Sequence, residues 1–347
     1  MVFTMRILYG VCGEGFGHSS RAKEIIEHLE SKGHKVLIIT YGQAVEVLSK
    51  FDLIEIEGIS LSFSYGRLSL SKTIIENFSK IPKNIKNFGM IKDKIDKFKP
   101  DLYISDMEVL VPIISHWKKL PLISIDNQHR LTHLELDVPK EHNKDFLIAK
   151  TAINLCVSRA DAFIIMSFAK SKVEKDNGKT YVVNPLLRKE ILDLKTKEDN
   201  FFLVYQTKKD KELLNVLSKI NEKFVIYGYN KEKQRGNLIF KKTGKLFIKD
   251  LANCKGIIAT SGFTLMSEAI YLKKPYFALP LTGQFEQTLN SLFLKKAIYG
   301  DYSLKPTEVE IRKFIDNLDN YKHKLSKNKP KPKETLEILD KLLKSFN

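Results

Sequence analysis

From Ala259 to Asn290 the chain reads ATSGFTLMSEAIYLKKPYFALPLTGQFEQTLN, and this stretch decides the fold. The preceding residues, Gly256-Ile257-Ile258-Ala259, form a short apolar run of the kind expected of a buried strand. The run stops at Thr260-Ser261-Gly262, and helical spacing begins at once. In a parallel α/β sheet such a junction lies at the carboxyl end of a strand. There the N–H groups and positive dipole end of the next helix can hold an anion. Glu268 falls one to two turns into that helix, ahead of Pro280 and the polar cluster Glu286, Gln287 and Asn290. A turn suited to phosphate, a carboxylate suited to sugar hydroxyls and a second polar cluster point to a nucleotide-sugar site. For this stretch alone, an ordinary βαβ unit with surface acids is the better reading.

The same alternation extends outward in both directions. In the second half, strands are expected at Phe201–Tyr205, Phe224–Ile226, Leu238–Phe240, Leu246–Ile248, Gly256–Ala259 and Tyr276–Ala278. Helices are expected at Asp210–Ile220, Phe263–Leu272, Gln284–Lys296 and Pro306–Leu318, and a last one after Lys327–Lys333 running to Ser345. The first half opens with a buried strand at Arg6–Cys12, then Gly13-Glu14-Gly15-Phe16-Gly17-His18. From Ser19 to Glu30, Ala22, Ile25, Ile26 and Leu29 fall at helical spacing. Further strands are expected at Lys35–Thr40, Leu53–Ile56, Asp101–Ser105, Leu120–Ile125, Asp161–Met166 and Thr180–Asn184. The pattern predicts two doubly wound, Rossmann-like α/β domains, 1–186 and 187–320, followed by a linker and helix over 321–347. That last helix is expected to pack back on the first domain.

The spacing G-x-G-x-G at Gly13, Gly15 and Gly17 is not the dinucleotide fingerprint, and the second strand ends Thr40-Tyr41-Gly42-Gln43 without an acid for a ribose. Both features count against a nicotinamide enzyme. The glycines still permit a tight turn and close approach of a ligand to a helix N-terminus.

Composition narrows the classes further. The 347 residues are 43% hydrophobic and 29% charged, as in a soluble globular chain, and no apolar run approaches the roughly 18 residues of a membrane span. The start lacks a signal-peptide pattern, and Cys12, Cys156 and Cys254 lie far apart with no CxxC pair. A reduced, cytoplasmic protein is expected. Of the net charge of +17, residues 188–347 carry +13. Such a basic half suits a polyanion or a nucleoside diphosphate equally. No nucleic-acid-binding module is recognisable, and no nucleic acid is expected as a partner. Residues 60–99 combine 9 Lys and Arg with 3 acids and regularly spaced isoleucines. Packing of the apolar side on the domain is the plainer reading of that segment, and peripheral contact with an anionic inner membrane face is the alternative.

Glycine turn and histidine in one domain, with Gly262-Phe263, Glu268, Pro280, Glu286-Gln287 and Asn290 in the other, form a recognisable combination. The chain resembles the GT-B glycosyltransferases, in which two Rossmann-like domains face a cleft. It is most similar to the branch holding the bacterial lipid-linked muropeptide N-acetylglucosaminyltransferase, the UDP-glucuronosyltransferases and their archaeal homologues. Ser261–Asn290 carries the specific part of the likeness. Gly13–Arg21 and Asn184-Pro185-Leu186-Leu187-Arg188, similar to the family's domain-joining segment, support it.

The resemblance implies an inverting, metal-independent transfer of a sugar from a UDP-sugar to an unidentified acceptor hydroxyl, with a lipid-linked acceptor among the candidates. It calls for no cofactor beyond the donor and no bound metal. By residue, Glu268 would accept from the ribose, and Ser261, Gly262, Phe263 and Thr264 would cover the diphosphate. Glu286 and Gln287 would contact the donor sugar, and Phe247 and Ile248 would lie over the base. His18 would be the general base, oriented by Asp106. Asp126 is the alternative base, and Gly15, Gly17, Gln128 and His129 would face the acceptor. Each also has a plainer reading as core or solvated surface. Where the family often has a glycine-rich loop after the first strand of the second domain, this chain has Tyr205-Gln206-Thr207-Lys208-Lys209. Phosphate holding is therefore expected to fall more to Thr207, Lys208 or the Ser261 turn. A nucleotide-sugar 2-epimerase and a binding protein without turnover are the competing readings.

Overall fold

Short apolar runs separated by amphipathic helices cannot bury both faces of a strand alone, so they assemble into sheets covered by helices on both sides. A computed structural model, which describes residues 4–58, 63–64, 67–68, 81–169, 171–174 and 178–346, realises this arrangement twice. The chain divides into one unit of Met1–Arg188 with Lys331–Asn347 and a second of Lys189–Pro330.

Strands of the first unit are β1 (Arg6–Val11), β2 (Lys35–Thr40), β3 (Leu53–Glu55), the small hairpin β4 (Phe63–Ser64) and β5 (Arg67–Leu68), β6 (Leu102–Asp106), β7 (Leu122–Asp126), β8 (Ala162–Met166) and β9 (Thr180–Val183). Seven of them form a parallel sheet in the order β3-β2-β1-β6-β7-β8-β9. The order reverses direction between β1 and β6, so the loops leaving these two strands flank the switch point where α/β sheets bind ligands. The helix Phe16–Ser31 buries Ala22, Ile25, Ile26 and Leu29 completely, as their spacing predicts, but also covers Ser19, Arg21 and Glu24. On the helix Ile81–Phe98, Ile91 and Ile95 enter the core, so this part of the lysine-rich segment packs on the domain. The rest of that segment, residues 60–62, 65–66 and 69–80, lies outside the described residues.

The C-terminal helix Glu334–Ser345 belongs to this first unit. Leu339, Leu342 and Leu343 are its buried face, and His28 Nε2 lies 2.8 Å from Asp340 Oδ1. Asn184 donates from its backbone N (2.8 Å) and its amide (2.5 Å) to Glu334 Oε2, and its carbonyl accepts from Thr335 Oγ1 (3.0 Å).

The second unit contains β10 (Phe202–Tyr205), β11 (Phe224–Tyr227), β12 (Lys233–Arg235), β13 (Leu238–Phe240), β14 (Gly256–Thr260), β15 (Tyr276–Leu279) and β16 (Gly300–Tyr302). Their order is β12-β13-β11-β10-β14-β15-β16, parallel except for β12 at the edge, with the switch between β10 and β14. The core gathers around Phe202, Phe224, Phe277 and Phe314. This unit runs on through the helix Leu318–Ser326.

One expected strand is wrong. Leu246–Ile248 lies in the helix Lys245–Asn253. Three successive apolar residues suggested a strand, but half-buried Phe247 and Ile248 with fully covered Leu251 and Ala252 recur at helical spacing. The edge strands β12 and β16 were not expected because Lys233-Gln234-Arg235 and Gly300-Asp301-Tyr302 lack the apolar run that marks the equally short β3 and β13. Among the described residues no helix is long and apolar enough to cross a membrane.

Candidate functional site

In the first unit the chain leaves β1 through a turn that only glycine fits. A Cβ at Gly13 would lie 1.9 Å from the Tyr41 carbonyl, and Gly15 has φ 80° just before the helix begins. Gly13, Glu14 and Gly15 line an open cavity of ≈ 700 Å³ with Tyr41, Gln43 and Glu57. Gly15 thus borders space for a ligand; half-buried Gly17 does not line it.

The turn places His18 in the first helical turn, with its side chain 13% exposed. Asp106 ends β6 across the switch point and is fully buried. Their contact is 2.7 Å, between His18 Nδ1 and Asp106 Oδ1. Carboxylate oxygen accepts only, so the tautomer that satisfies this contact carries its proton on Nδ1 and presents the Nε2 lone pair. The two residues that the sequence reading paired are therefore in contact, and a third member was not foreseen. Arg21, one turn further along the helix, donates Nε to Asp106 Oδ2 (2.5 Å) and Nη2 to Oδ1 (2.6 Å). Burial works against the Arg21 charge, but Asp106 more than offsets this and the guanidinium holds its proton more tightly than an ordinary arginine. An arginine at the edge of an apolar helical stripe, three residues after His18, was the available signal.

Gln128, half buried in the loop after β7, brings its amide Nε2 within 3.3 Å of His18 Nε2. His129 corrects an expectation. It is fully buried, its Nδ1 is 2.6 Å from Asp126 Oδ2, and its Nε2 donates to the Val157 carbonyl at 3.0 Å. Burial opposes the charge on His129, but Asp126 overcomes it and raises the pKa, so the ring is an ion-pair partner that no acceptor can touch. Asp126 is excluded as a base for the same reason. Burial alone would raise its pKa, yet His129 and its hydrogen bonds hold it well below the usual carboxylate range, and it is 1% exposed.

The second unit offers a different construction. β14 ends at Thr260, whose carbonyl accepts from Tyr276 Oη (2.6 Å). Ser261 follows, with Oγ 2.8 Å from Ser291 Oγ and its carbonyl accepting Asn290 Nδ2 at 2.9 Å. Ser261 and Asn290 are both fully buried, so the Ser261 side chain braces the turn and is covered by protein, whereas the resemblance had it over the diphosphate. Gly262 caps the helix Phe263–Tyr271, and a Cβ there would meet nothing within 4 Å, which leaves room over the backbone for a ligand. Helix geometry leaves the first-turn N–H groups without partners inside the helix. Phe263 is mostly buried and Thr264 half buried in this turn. Glu268, one turn on, is 1% exposed, so a ribose would have to displace what covers it.

Glu286 and Gln287 lie half buried in the first turn of the helix Phe285–Lys296. Gln287 accepts from the Leu281 N–H (3.1 Å) and donates to Gln284 Oε1 (2.6 Å), which fixes the loop after β15. After β10, Thr207, Lys208 and Lys209 are exposed beside the switch point. The glycine missing from this loop stands after β11 instead. Gly228 has φ 92°, and a Cβ there would come 1.9 Å from the Gln206 carbonyl. The Phe247 ring packs edge-on against Tyr205 (5.6 Å) and Tyr227 (5.0 Å), while Ile248 is half buried. Among the described residues, no three His, Cys, Asp or Glu side chains group as they would for a metal.

Comparison with known proteins gives a consistent result. Residues 5–319 match the family described as Glycosyl transferase family 1. A protein of Methanosarcina acetivorans named "Uncharacterized glycosyltransferase" is 32% identical over 130 residues, 37% of this chain and 34% of that one. The match thus spans about a third of that relative's length. Another of that name from Methanosarcina mazei is 24% identical over 97% of this chain and 98% of its own length. Solved structures share the architecture. The glycotransferase of kitacinnamycin superposes with TM-score 0.73 at 10% identity, covering 99% of each chain. LpCGTa in complex with UDP gives 0.69 at 14% identity, over 99% of this chain and 100% of its own. MurG of Acinetobacter baumannii gives 0.63 at 14% identity, over 98% and 99%. These likenesses show the two-domain GT-B fold and do not single out the muropeptide branch.

Proposed function

The chain belongs to glycosyl transferase family 1, and from that premise we propose that it transfers a sugar, with inversion, from a UDP-sugar to an acceptor hydroxyl without a metal. The His18–Asp106 contact of 2.7 Å is the observation that carries this reading. As the acceptor oxygen attacks the anomeric carbon, its proton passes to His18 Nε2, and the bond from that carbon to the diphosphate oxygen breaks. Asp106 holds the Nδ1 proton and balances the imidazolium that forms. UDP departs with the electron pair. The diphosphate is assigned to the Gly262–Thr264 helix start with Thr207 and Lys208, since a helix N-terminus and lysines stabilise negative charge as it develops. Half-buried Phe247, packed against Tyr205 and fully buried Tyr227, is assigned to the base, and Glu268 to the ribose. UDP bound to a structural neighbour supports the donor class.

Exposed Met90, Ile113 and Trp117 lie on the helices Ile81–Phe98 and Leu110–Lys118, which the Lys118–Asp96 ion pair (2.8 Å) joins. Together with the surrounding lysines they support peripheral contact with an anionic membrane, which flotation with anionic and neutral vesicles tests.

The deciding experiment incubates the purified protein with UDP-sugars and extracts as acceptor source, with and without EDTA. UDP release that needs an acceptor and survives EDTA is expected. Interconversion of the donor without acceptor would make the protein an epimerase, and UDP binding without any turnover would make it a binding protein. His18→Ala is expected to lower turnover by roughly 10²–10⁴-fold with UDP affinity retained.

A further inference from the structure

Arg21 is the most heavily engaged side chain beside His18. Its Nε and Nη2 grip both oxygens of Asp106 at 2.5 and 2.6 Å, and Nη1 donates to Asn127 Oδ1 at 2.6 Å. Nη2 also lies 2.8 Å from His18 Nδ1. One 7%-exposed side chain therefore ties the helix Phe16–Ser31 to the ends of β6 and β7. We infer that Arg21 is a positioning residue for the His18–Asp106 pair, a fixed positive charge that offsets Asp106 and keeps His18 available as a neutral base. This rests on the reading of His18 as the base.

Beside a histidine, a carboxylate alone favours the imidazolium. Here a proton on His18 would set a second positive charge against the guanidinium, in a buried place where solvent screens little. Arg21 thus opposes protonation of His18 while Asp106 favours it. The guanidinium fork also fixes the carboxylate plane, so Oδ1 stays on Nδ1 and the lone pair stays on Nε2. Through Asn127, and through Gln128 Oε1 at 3.5 Å from Nη2, Arg21 orients the loop that lays Gln128 Nε2 3.3 Å from His18 Nε2. That amide covers the lone pair until an acceptor hydroxyl replaces it.

Other charged or titratable groups leave this balance in place. The Asp126–His129 pair from the end of β7 and its loop compensates itself at 2.6 Å. Burial pushes the Tyr9 phenol of β1 far up, so it stays neutral. Glu14, in the loop before the helix, is exposed to water. Asp106 and Arg21 set the local charge.

The test needs no acceptor. The full chain is labelled at histidine ¹³Cε1, and the His18 signal among the eight histidines is assigned by its loss in His18→Gln. Its titration midpoint is expected to rise by about one pH unit in Arg21→Gln, where the charge is gone. In Arg21→Lys, which keeps charge but loses the fork, the midpoint is expected to stay within ~0.3 unit. Should Arg21→Gln not fold, Asp106→Asn with Arg21→Gln, compared with Asp106→Asn alone, reads the same charge without leaving a buried ion uncompensated. A midpoint that does not rise in Arg21→Gln or in that pair overturns the proposal and leaves Arg21 a brace. Turnover of His18→Ala is judged separately. Full turnover there removes the base reading, while the midpoint shift still decides what Arg21 does to His18.

Discussion

The turn after β1 and the turn after β14 each leave a strand bordering the switch point of a doubly wound sheet, yet they are built from opposite materials. The first is organised by charge, with Asp106 buried beneath His18 and gripped by Arg21. The second is organised by neutral groups, with Ser261, Ser291 and Asn290 bracing the backbone beneath Gly262. A residue that must exchange a proton needs fixed charges to set when it does so. A turn that must receive an anion needs its backbone N–H groups held in place and no carboxylate beside them. The contrast separates the proton-handling half from the diphosphate-handling half of the proposed reaction.

Substitutions test that contrast, beginning with the largest effect. Asp106→Ala leaves the buried Arg21 charge without its partner and is expected to cost about 3–5 kcal/mol, measured by urea denaturation. A loss no greater than that of a surface substitution would mean that charge does not organise the first turn. Glu108 adds a pH signature to the same unit. Burial raises its pKa to about 7, although the Leu110 and Val111 N–H groups, both at 2.8 Å, favour its charged form. A carboxyl raised in the folded state stabilises most fully below its unfolded pKa, and that contribution disappears as pH climbs through the folded value. Stability is therefore expected to fall by about 3 kcal/mol between roughly pH 4.5 and 7, and Glu108→Gln should flatten the curve. A variant with an unchanged pH dependence would contradict this. Glu268→Ala is expected to weaken UDP binding by about tenfold, which calorimetry would read. Unchanged affinity would remove Glu268 from the donor site. Smallest is Ser291→Ala, at about 1 kcal/mol, since it removes a neutral hydrogen bond to Ser261. A loss matching Asp106→Ala would erase the distinction between the two turns.

Much of this was legible from local pattern. Periods of two and 3.6 residues marked the strands and helices, and the glycine turn with its following histidine marked the place where His18 meets Asp106. Failures came where local pattern is ambiguous or blind. Leu246–Ile248 is too short an apolar run to tell strand from helix, and its neighbours Leu251 and Ala252 settle it only once the helix is packed. His129 resembled an acceptor contact because local sequence shows Asp126 three residues before it but neither its burial nor the Val157 carbonyl 28 residues on. The glycine sought after Tyr205 stands at Gly228 on the neighbouring strand's loop.

By itself, the sequence determined the alternating elements, the doubly wound class, and His18 and Asp106 as a candidate pair, because apolar spacing and strand-end position are properties of neighbouring residues. Only the tertiary structure decided which charges meet. Arg21 and Asp106 lie 85 residues apart in the chain, and the parallel pairing of β1 with β6 places them side by side. Whether a polar residue near the turn acts on a ligand or braces the fold depends on what covers it, and that is fixed by residues distant in sequence.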